Sequence, residues 1–255
     1  MFLKSLKNII YILVLISVNG CNEKADQAPK PPNILFILSD DHTSSAWGVY
    51  GGILEEYVQN THIKRLAAQG ALLENSFCTN SICSPSRASI LTGQYSHKNK
   101  VYTLNEPLPR SHPNIAQTLQ AAGYHTAIIG KWHLGHSQQQ QLPNAQGFDH
   151  FYGHLHTNTD FYTHRRENGH DLQRNGVSVS RDGEYLTHIE ADQAKRFIET
   201  RDKDKPFFMY VPFTAPHSPM QAPAKTIKKY KHLPRQSYQR VYAAMVDEMD
   251  RAIGS

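Results

Sequence analysis

The sequence predicts an α/β fold with a mainly parallel central sheet flanked by helices. Three observations carry that prediction. Residues 33–38, 125–129 and 207–211 are short, largely apolar runs, the composition of strands buried on both faces of a parallel sheet. Segments with apolar residues at helical spacing lie between them, so helix, loop and strand alternate along the chain. Each apolar run also ends in a polar or charged cluster, and ligands of open α/β sheets bind beyond the carboxyl ends of the strands.

The elements follow in order. The run at 33–38 leads into Ser39-Asp40-Asp41-His42, where two adjacent carboxylates suit either a hard cation or a simple turn. Residues 61–70 read as a helix with Thr61 as N-cap, Ile63, Leu66 and Ala67 inward, and Gly70 as stop. A second helix begins near Cys83, with Pro85 in the first turn, where its missing N–H is not needed, and Gly93 as stop. Residues 114–122 form a third, closed by Gly123, which feeds the strand at 125–129 and its polar end Gly130-Lys131-Trp132-His133. Between 135 and 184 the pattern dissolves into Gln, Gly, Asn, His and Tyr, predicting long loops with one hairpin. Helical spacing returns at 187–200, followed by a turn at 201–205 and the strand at 207–211, which ends in Thr214-Ala215-Pro216-His217-Ser218-Pro219. The basic run 225–235 reads as a solvent-facing helix, or as an attractor of polyanions. The chain closes with a helix over 237–253.

With 255 residues and a net charge of +5, the chain is long enough for a sizeable core and mildly basic, which agrees with an anionic substrate. No nucleic-acid-binding motif occurs, so nucleic acid is not expected as a partner. Lys4 and Lys7 precede an apolar run at 9–18, too short to span a bilayer, which is the layout of a secretory signal peptide. Val18-Asn19-Gly20-Cys21 resembles a bacterial lipobox. Residues 1–21 are thus a signal peptide with Cys21 as the lipidated end, and 22–32 a polar tether. The expected location is the periplasm, or the outer membrane or cell surface as a bacterial lipoprotein, with simple cleavage as the alternative. Two cysteines remain in the body, Cys78 and Cys83. A disulfide between them would consume the nucleophile considered next.

Three strand ends point Asp40 and Asp41, Lys131 and His133, and His217 towards one rim of the sheet. The Cys83 helix adds free N–H groups and a partial positive charge, with Arg87 one turn on. Together these are a cation site, fixed positive charge, imidazoles and a nucleophile position. Such a set suits transfer of a sulfuryl or phosphoryl group, whose charged oxygens must be stabilised. Any one member alone is more simply an ordinary loop or surface residue; the joint pattern carries the inference.

The stretch Cys83-Ser84-Pro85-Ser86-Arg87, continuing to Ile90-Leu91-Thr92-Gly93, resembles the signature of the type I sulfatases, whose cysteine is oxidised to formylglycine by a maturation enzyme. Gly123 to His133 resembles the second signature of that family. The resemblance implies an alkaline-phosphatase-like sandwich. It implies Asp40 and Asp41 as ligands of calcium, shared with the oxygens of residue 83, and Arg87 steadying that residue. Lys131 would contact the sulfate, His133 would hydrogen-bond the hydrated aldehyde, and His217 would assist the leaving group. One oxygen of the hydrate attacks sulfur, and the second expels the sulfate afterwards.

Residues 147–149, 160–162 and 219–223 resemble the branch of arylsulfatase B and the N-acetylgalactosamine sulfatases, which implies a sulfated glycan. His154, His156, Asn158, Asp160, His164 and Arg165 are candidate sugar contacts or a solvated loop. Family members continue to a further core strand ending in Asp-Asn, a second active-site lysine and a small C-terminal domain. Residues 33–255 therefore resemble the N-terminal part of the catalytic domain, incomplete at its C-terminal side and poorly active alone. Two other readings remain: a phosphodiesterase or phosphonate hydrolase of the same superfamily, and a non-catalytic, glycan-binding remnant lipoprotein.

Overall fold

Among the described residues eight strands form: β1 (Ile34–Leu38), β2 (His125–Lys131), β3 (His150–His154), β4 (Arg165–Arg166), β5 (Gly169–His170), β6 (Gln173–Arg174), β7 (Val177–Ser178) and β8 (Phe207–Pro212). The computed structural model describes residues 30–52, 54–166, 169–233 and 237–255. The signal peptide, the lipobox-like end at Cys21 and residues 22–29 of the tether lie outside the described residues. Among the described residues no helix is long and apolar enough to cross a membrane.

Six strands make one sheet in the order β1-β8-β2-β3-β6-β7. The pairs β1·β8, β8·β2 and β2·β3 are parallel, whereas β3·β6 and β6·β7 are antiparallel. A separate hairpin joins β4 to β5. The helices are α1 (Thr61–Gln69), α2 (Cys83–Thr92), α3 (Ser96–Asn99), α4 (Ile115–Ala121), α5 (Leu186–Thr200), α6 (Ala224–Lys229) and α7 (Ser237–Gly254).

Strand side chains alternate between two cores. Ala127, Ile129, Met209 and Val211 pack with Leu186, Ile189 and Phe197 of α5 and with Met245, Val246 and Met249 of α7. Ile128, Phe208 and Tyr210 face the other way, onto Ala88 and Leu91 of α2 and Ala116 of α4. Full burial of each large apolar side chain contributes about 1.5–3 kcal/mol, so the two layers together fix the central strands.

Three sequence expectations change. The stretch expected to be loop contains β3, a buried parallel strand that reads His-Phe-Tyr-Gly-His and therefore lacks an aliphatic run. Its Gly153 pairs with Gly130 of β2, and a Cβ on Gly153 would lie 1.9 Å from the Gly130 carbonyl oxygen. Strand β1 lies at the sheet edge and leaves Leu35 48% exposed, short of the two-sided burial expected. Helix α1 buries no residue, and Asn60 occupies the N-cap position rather than Thr61. Its first-turn donors are taken by Asp250 of α7, which accepts from the backbone of His62 (3.2 Å) and Ile63 (2.9 Å). In the basic run, Lys225, Lys228 and Lys229 of α6 are exposed while Thr226 turns inward, as a solvent-facing helix requires.

Candidate active site

Asp40, just past the carboxyl end of β1, is the hub of the site and is 5% exposed. Lys131 Nζ, fully buried at the end of β2, donates to Asp40 Oδ2 at 2.5 Å. Arg87 Nη2, also buried, lies 3.2 Å from Asp40 Oδ1, and its Nη1 donates to the Lys131 carbonyl oxygen at 2.9 Å. Two hydrogen bonds draw the loop after β8 against the end of β1: Phe213 N to Leu38 O at 2.9 Å, and Asp40 N to Ala215 O at 3.1 Å. That loop carries His217. One oxygen of Asp40, the Cys83 sulfur and a His217 ring nitrogen all lie within 4.8 Å of one another.

Cys83 is the first residue of α2, and Cys78 and Cys83 are both free, which removes the disulfide alternative. Ser84 anchors the same turn, donating from its hydroxyl to the His133 carbonyl at 2.8 Å. His133 adopts a left-handed backbone (φ 53) and is 9% exposed, with Nδ1 unpartnered among the described residues. Asp41 is different: it is exposed, has φ 54, and stands outside the group formed by Asp40, Cys83 and His217.

The electrostatics follow from burial and neighbours. Burial pushes the Asp40 carboxyl up, but Arg87 and Lys131 prevail and hold it down at about 2. Lys131 is lowered by burial and then by Arg87, against the opposing pull of Asp40. Burial, with Lys131 and Arg87, keeps the His133 imidazole neutral by lowering it to about 2. The Cys83 thiol is lowered chiefly by its contact with His217, which is itself raised by that contact. One carboxylate against a guanidinium and an ammonium leaves the buried cluster with an excess of positive charge, which the α2 N-terminus reinforces.

Sequence reasoning missed a second buried layer. Thr214 Oγ1 lies 2.7 Å from His154 Nε2 and 3.1 Å from Glu190 Oε1, while His154 Nδ1 faces the His156 carbonyl at 3.1 Å. The carbonyl requires a proton on Nδ1, so Nε2 accepts the single hydroxyl proton of Thr214. Glu190 must then be protonated to bond Thr214, in agreement with the rise of its carboxyl, through burial, to about 8. The available signal was Glu190 itself, a carboxylate on the inward face of α5 beside Leu186 and Ile189. A group raised in the fold adds stability below its unfolded value and loses it as pH climbs through the folded one. Thermal stability should therefore decline between about pH 5 and 8 in the native chain, and that decline should flatten in Glu190→Gln. Melting curves across this range check it; an unchanged slope would count against a neutral Glu190.

A cleft of about 500 Å³ opens beside His133, lined also by Leu104, Glu106, His136, His156 and Arg166. Cys83 itself does not line it; Leu104 and His133 share the Ser84 hydroxyl, which ties this wall of the cleft to the turn that carries Cys83. The His136 and His156 rings lie against each other, tilted by 37° with centroids 4.2 Å apart, and Asp171 holds His156 Nδ1 at 2.9 Å. Of the proposed sugar contacts, His156 lines this cleft, whereas His154 and His164 are fully buried and cannot reach a ligand in it.

Residues 32–255 match the family model described as Sulfatase. The chain belongs to the sulfatase family. It is 34% identical over 235 residues to arylsulfatase J of Mus musculus, covering 87% of this chain and 38% of that one. It is 36% identical over 207 residues to the N-acetylglucosamine-6-O-sulfatase of Bacteroides thetaiotaomicron, covering 80% and 34%. This sulfatase chain thus spans roughly a third or more of the curated relatives it matches. Among solved structures it resembles Ps i-CgsB in complex with k-i-k-neocarrahexaose, with TM-score 0.81, 26% identity, and coverage of 88% of this chain and 54% of that one. The α/β fold expected from sequence, alkaline-phosphatase-like with a mainly parallel sheet, is the fold of this sulfatase.

Proposed function

We propose that this chain is part of a sulfuric ester hydrolase that removes sulfate from a carbohydrate, with residue 83 as nucleophile in its formylglycine form and with calcium. The buried Asp40–Lys131–Arg87 cluster at the N-terminus of the Cys83 helix carries the proposal. It presents excess positive charge where a monoanionic sulfate ester would place its oxygens. As formylglycine, residue 83 would supply a hydrated aldehyde, one oxygen of which displaces the alcohol and the other of which frees the sulfate.

The chain's own groups have distinct tasks. Lys131 neutralises sulfate oxygens, Arg87 fixes Lys131 through its carbonyl and shares Asp40, and the neutral His133 offers an unpartnered Nδ1 to an oxygen on residue 83. His217, close to the Cys83 sulfur and half-buried, protonates the leaving alcohol. Thiol and imidazole are poor partners for a hard cation, so the set fits calcium only once residue 83 carries oxygen; Asp40 would be the buried carboxylate ligand, and the exposed Asp41 would have to turn inward to join it. The name of the Bacteroides relative and the oligosaccharide bound to Ps i-CgsB favour a sulfated sugar as substrate. Export to the periplasm or cell surface, the Cys21 anchor and the maturation enzyme belong to the same proposal.

The test is expression with the native leader beside a formylglycine-generating enzyme, in the longer reading frame if one exists. Peptide mass spectrometry should find an aldehyde at residue 83, and 6-O-sulfated N-acetylhexosamine should release sulfate in preference to phosphate from the matching phosphate ester. An unmodified thiol with competent maturation would favour the non-catalytic reading; faster phosphate release would favour the phosphodiesterase or phosphonate hydrolase.

Arg166 gives a narrower expectation. It lines the cleft and has no carboxylate partner among the described residues. Arg166→Gln should weaken binding of a sulfated disaccharide bearing a second anion by about 10-fold, and leave inorganic sulfate within about twofold. Calorimetric titration measures both, and equal loss for the two ligands would remove Arg166 from substrate recognition.

A further inference from the structure

We propose that His164, His170 and Asp182 form a structural site for a zinc-type divalent ion, separate from the Cys83 centre. The metal-binding atoms of the three side chains lie within 4.8 Å of one another. His164 is fully buried, and its Nε2 faces the Glu184 carbonyl oxygen at 3.1 Å. A carbonyl can only accept, so Nε2 holds the proton and Nδ1 is a bare lone pair. That Nδ1 is buried with no hydrogen-bond partner among the described residues.

His170, on β5, repeats the arrangement. Its Nδ1 lies 3.2 Å from Ser178 Oγ, and its Nε2 is buried and unpartnered, 3.8 Å from Asp182 Oδ1. The two rings cross at 83° with centroids 6.2 Å apart. Two imidazole nitrogens, each with its other nitrogen held by a carbonyl or hydroxyl, are the usual setting of histidine ligands. Bonds of about 2.0–2.1 Å to a tetrahedral ion require the ligands to close in somewhat. Asp182, with its side chain 46% exposed, is free to make that movement, and its other oxygen faces Arg165 at 3.7 Å. Two nitrogens and one carboxylate favour zinc over calcium or magnesium, and water completes the fourth position.

Such an ion has mechanical work to do. The β4·β5 hairpin pairs only two residues on each side, too little to hold itself. A metal bridging His164, His170 and Asp182 would pin the hairpin to the turn before α5, where Gly183 N already donates to Tyr162 O. Arg166 lies on β4, so the same pin would fix one wall of the cleft.

The experiment uses the full chain with Cys83→Ser throughout, which removes the sulfur ligand of the other cluster. After loading with zinc and dialysis, elemental analysis should find about one retained equivalent, falling to about a fifth or less in Asp182→Asn and in His170→Gln. Zinc should also raise Tm by about 3 °C or more in the parent and not in Asp182→Asn, an exposed change that leaves the core intact. Any shift caused by calcium should be the same in both. Failure to retain zinc, or retention indifferent to both substitutions, would overturn the site; neither result depends on turnover at residue 83.

Discussion

Cys83→Ala is expected to lower sulfate release by the matured enzyme by at least about 10⁴-fold, because it removes the nucleophile while leaving the charged cluster behind it. The residue begins α2 and is half-buried, and Ser84 behind it holds the turn through the His133 and Leu104 carbonyls. A smaller side chain should therefore leave the fold and sulfate binding unchanged. The measurement is kcat with a sulfated sugar, together with calorimetric sulfate binding. Turnover within tenfold of the parent would end the assignment of residue 83 as nucleophile, and normal binding beside lost turnover would separate chemistry from recognition.

Asp40→Ala should carry the largest cost in stability. It strips the shared carboxylate from Lys131 and Arg87, both of which are buried, and leaves two cations without their partner. Breaking a buried ion pair from one side costs about 3–5 kcal/mol. For a domain of this size that is a fall in Tm of about 6–20 °C. The pH dependence has a definite sign. With its carboxyl held near 2 against 3.8 for the unperturbed group, Asp40 stabilises the fold above that ordinary value, and the contribution fades as pH falls towards 2. Asp40→Ala should thus lose the part of the acid-induced transition that lies in this window. Denaturation curves from neutral pH downward test both statements, and a variant with parental Tm would show that the cluster contributes nothing net to folding.

Much of this molecule was legible in the sequence because its signals are local. Apolar runs mark β1, β2 and β8, and their polar ends place Asp40, Lys131 and His217 on one rim. The Cys-x-Pro-Ser-Arg spacing sets Cys83 and Arg87 on one helical turn. These readings need only periodicity, capping and the habit of α/β sheets to bind at strand ends. The strand β3 was not legible, since its His-Phe-Tyr-Gly-His composition becomes strand-like only between β2 and β6.

What tertiary structure alone decided is which polar groups meet. Asp40 and Asp41 are neighbours in sequence, but the positive φ of Asp41 leaves it exposed, while Asp40 turns inward to Lys131 and Arg87, 91 and 47 positions along. Thr214 joins His154 to Glu190 across three elements, and His164 meets Asp182 beside a hairpin that the sequence placed only somewhere between 135 and 184. Sequence determined the inventory of chemical groups and the strand ends that carry them. Packing decided their charge states and partners, because burial and proximity act through space rather than along the chain.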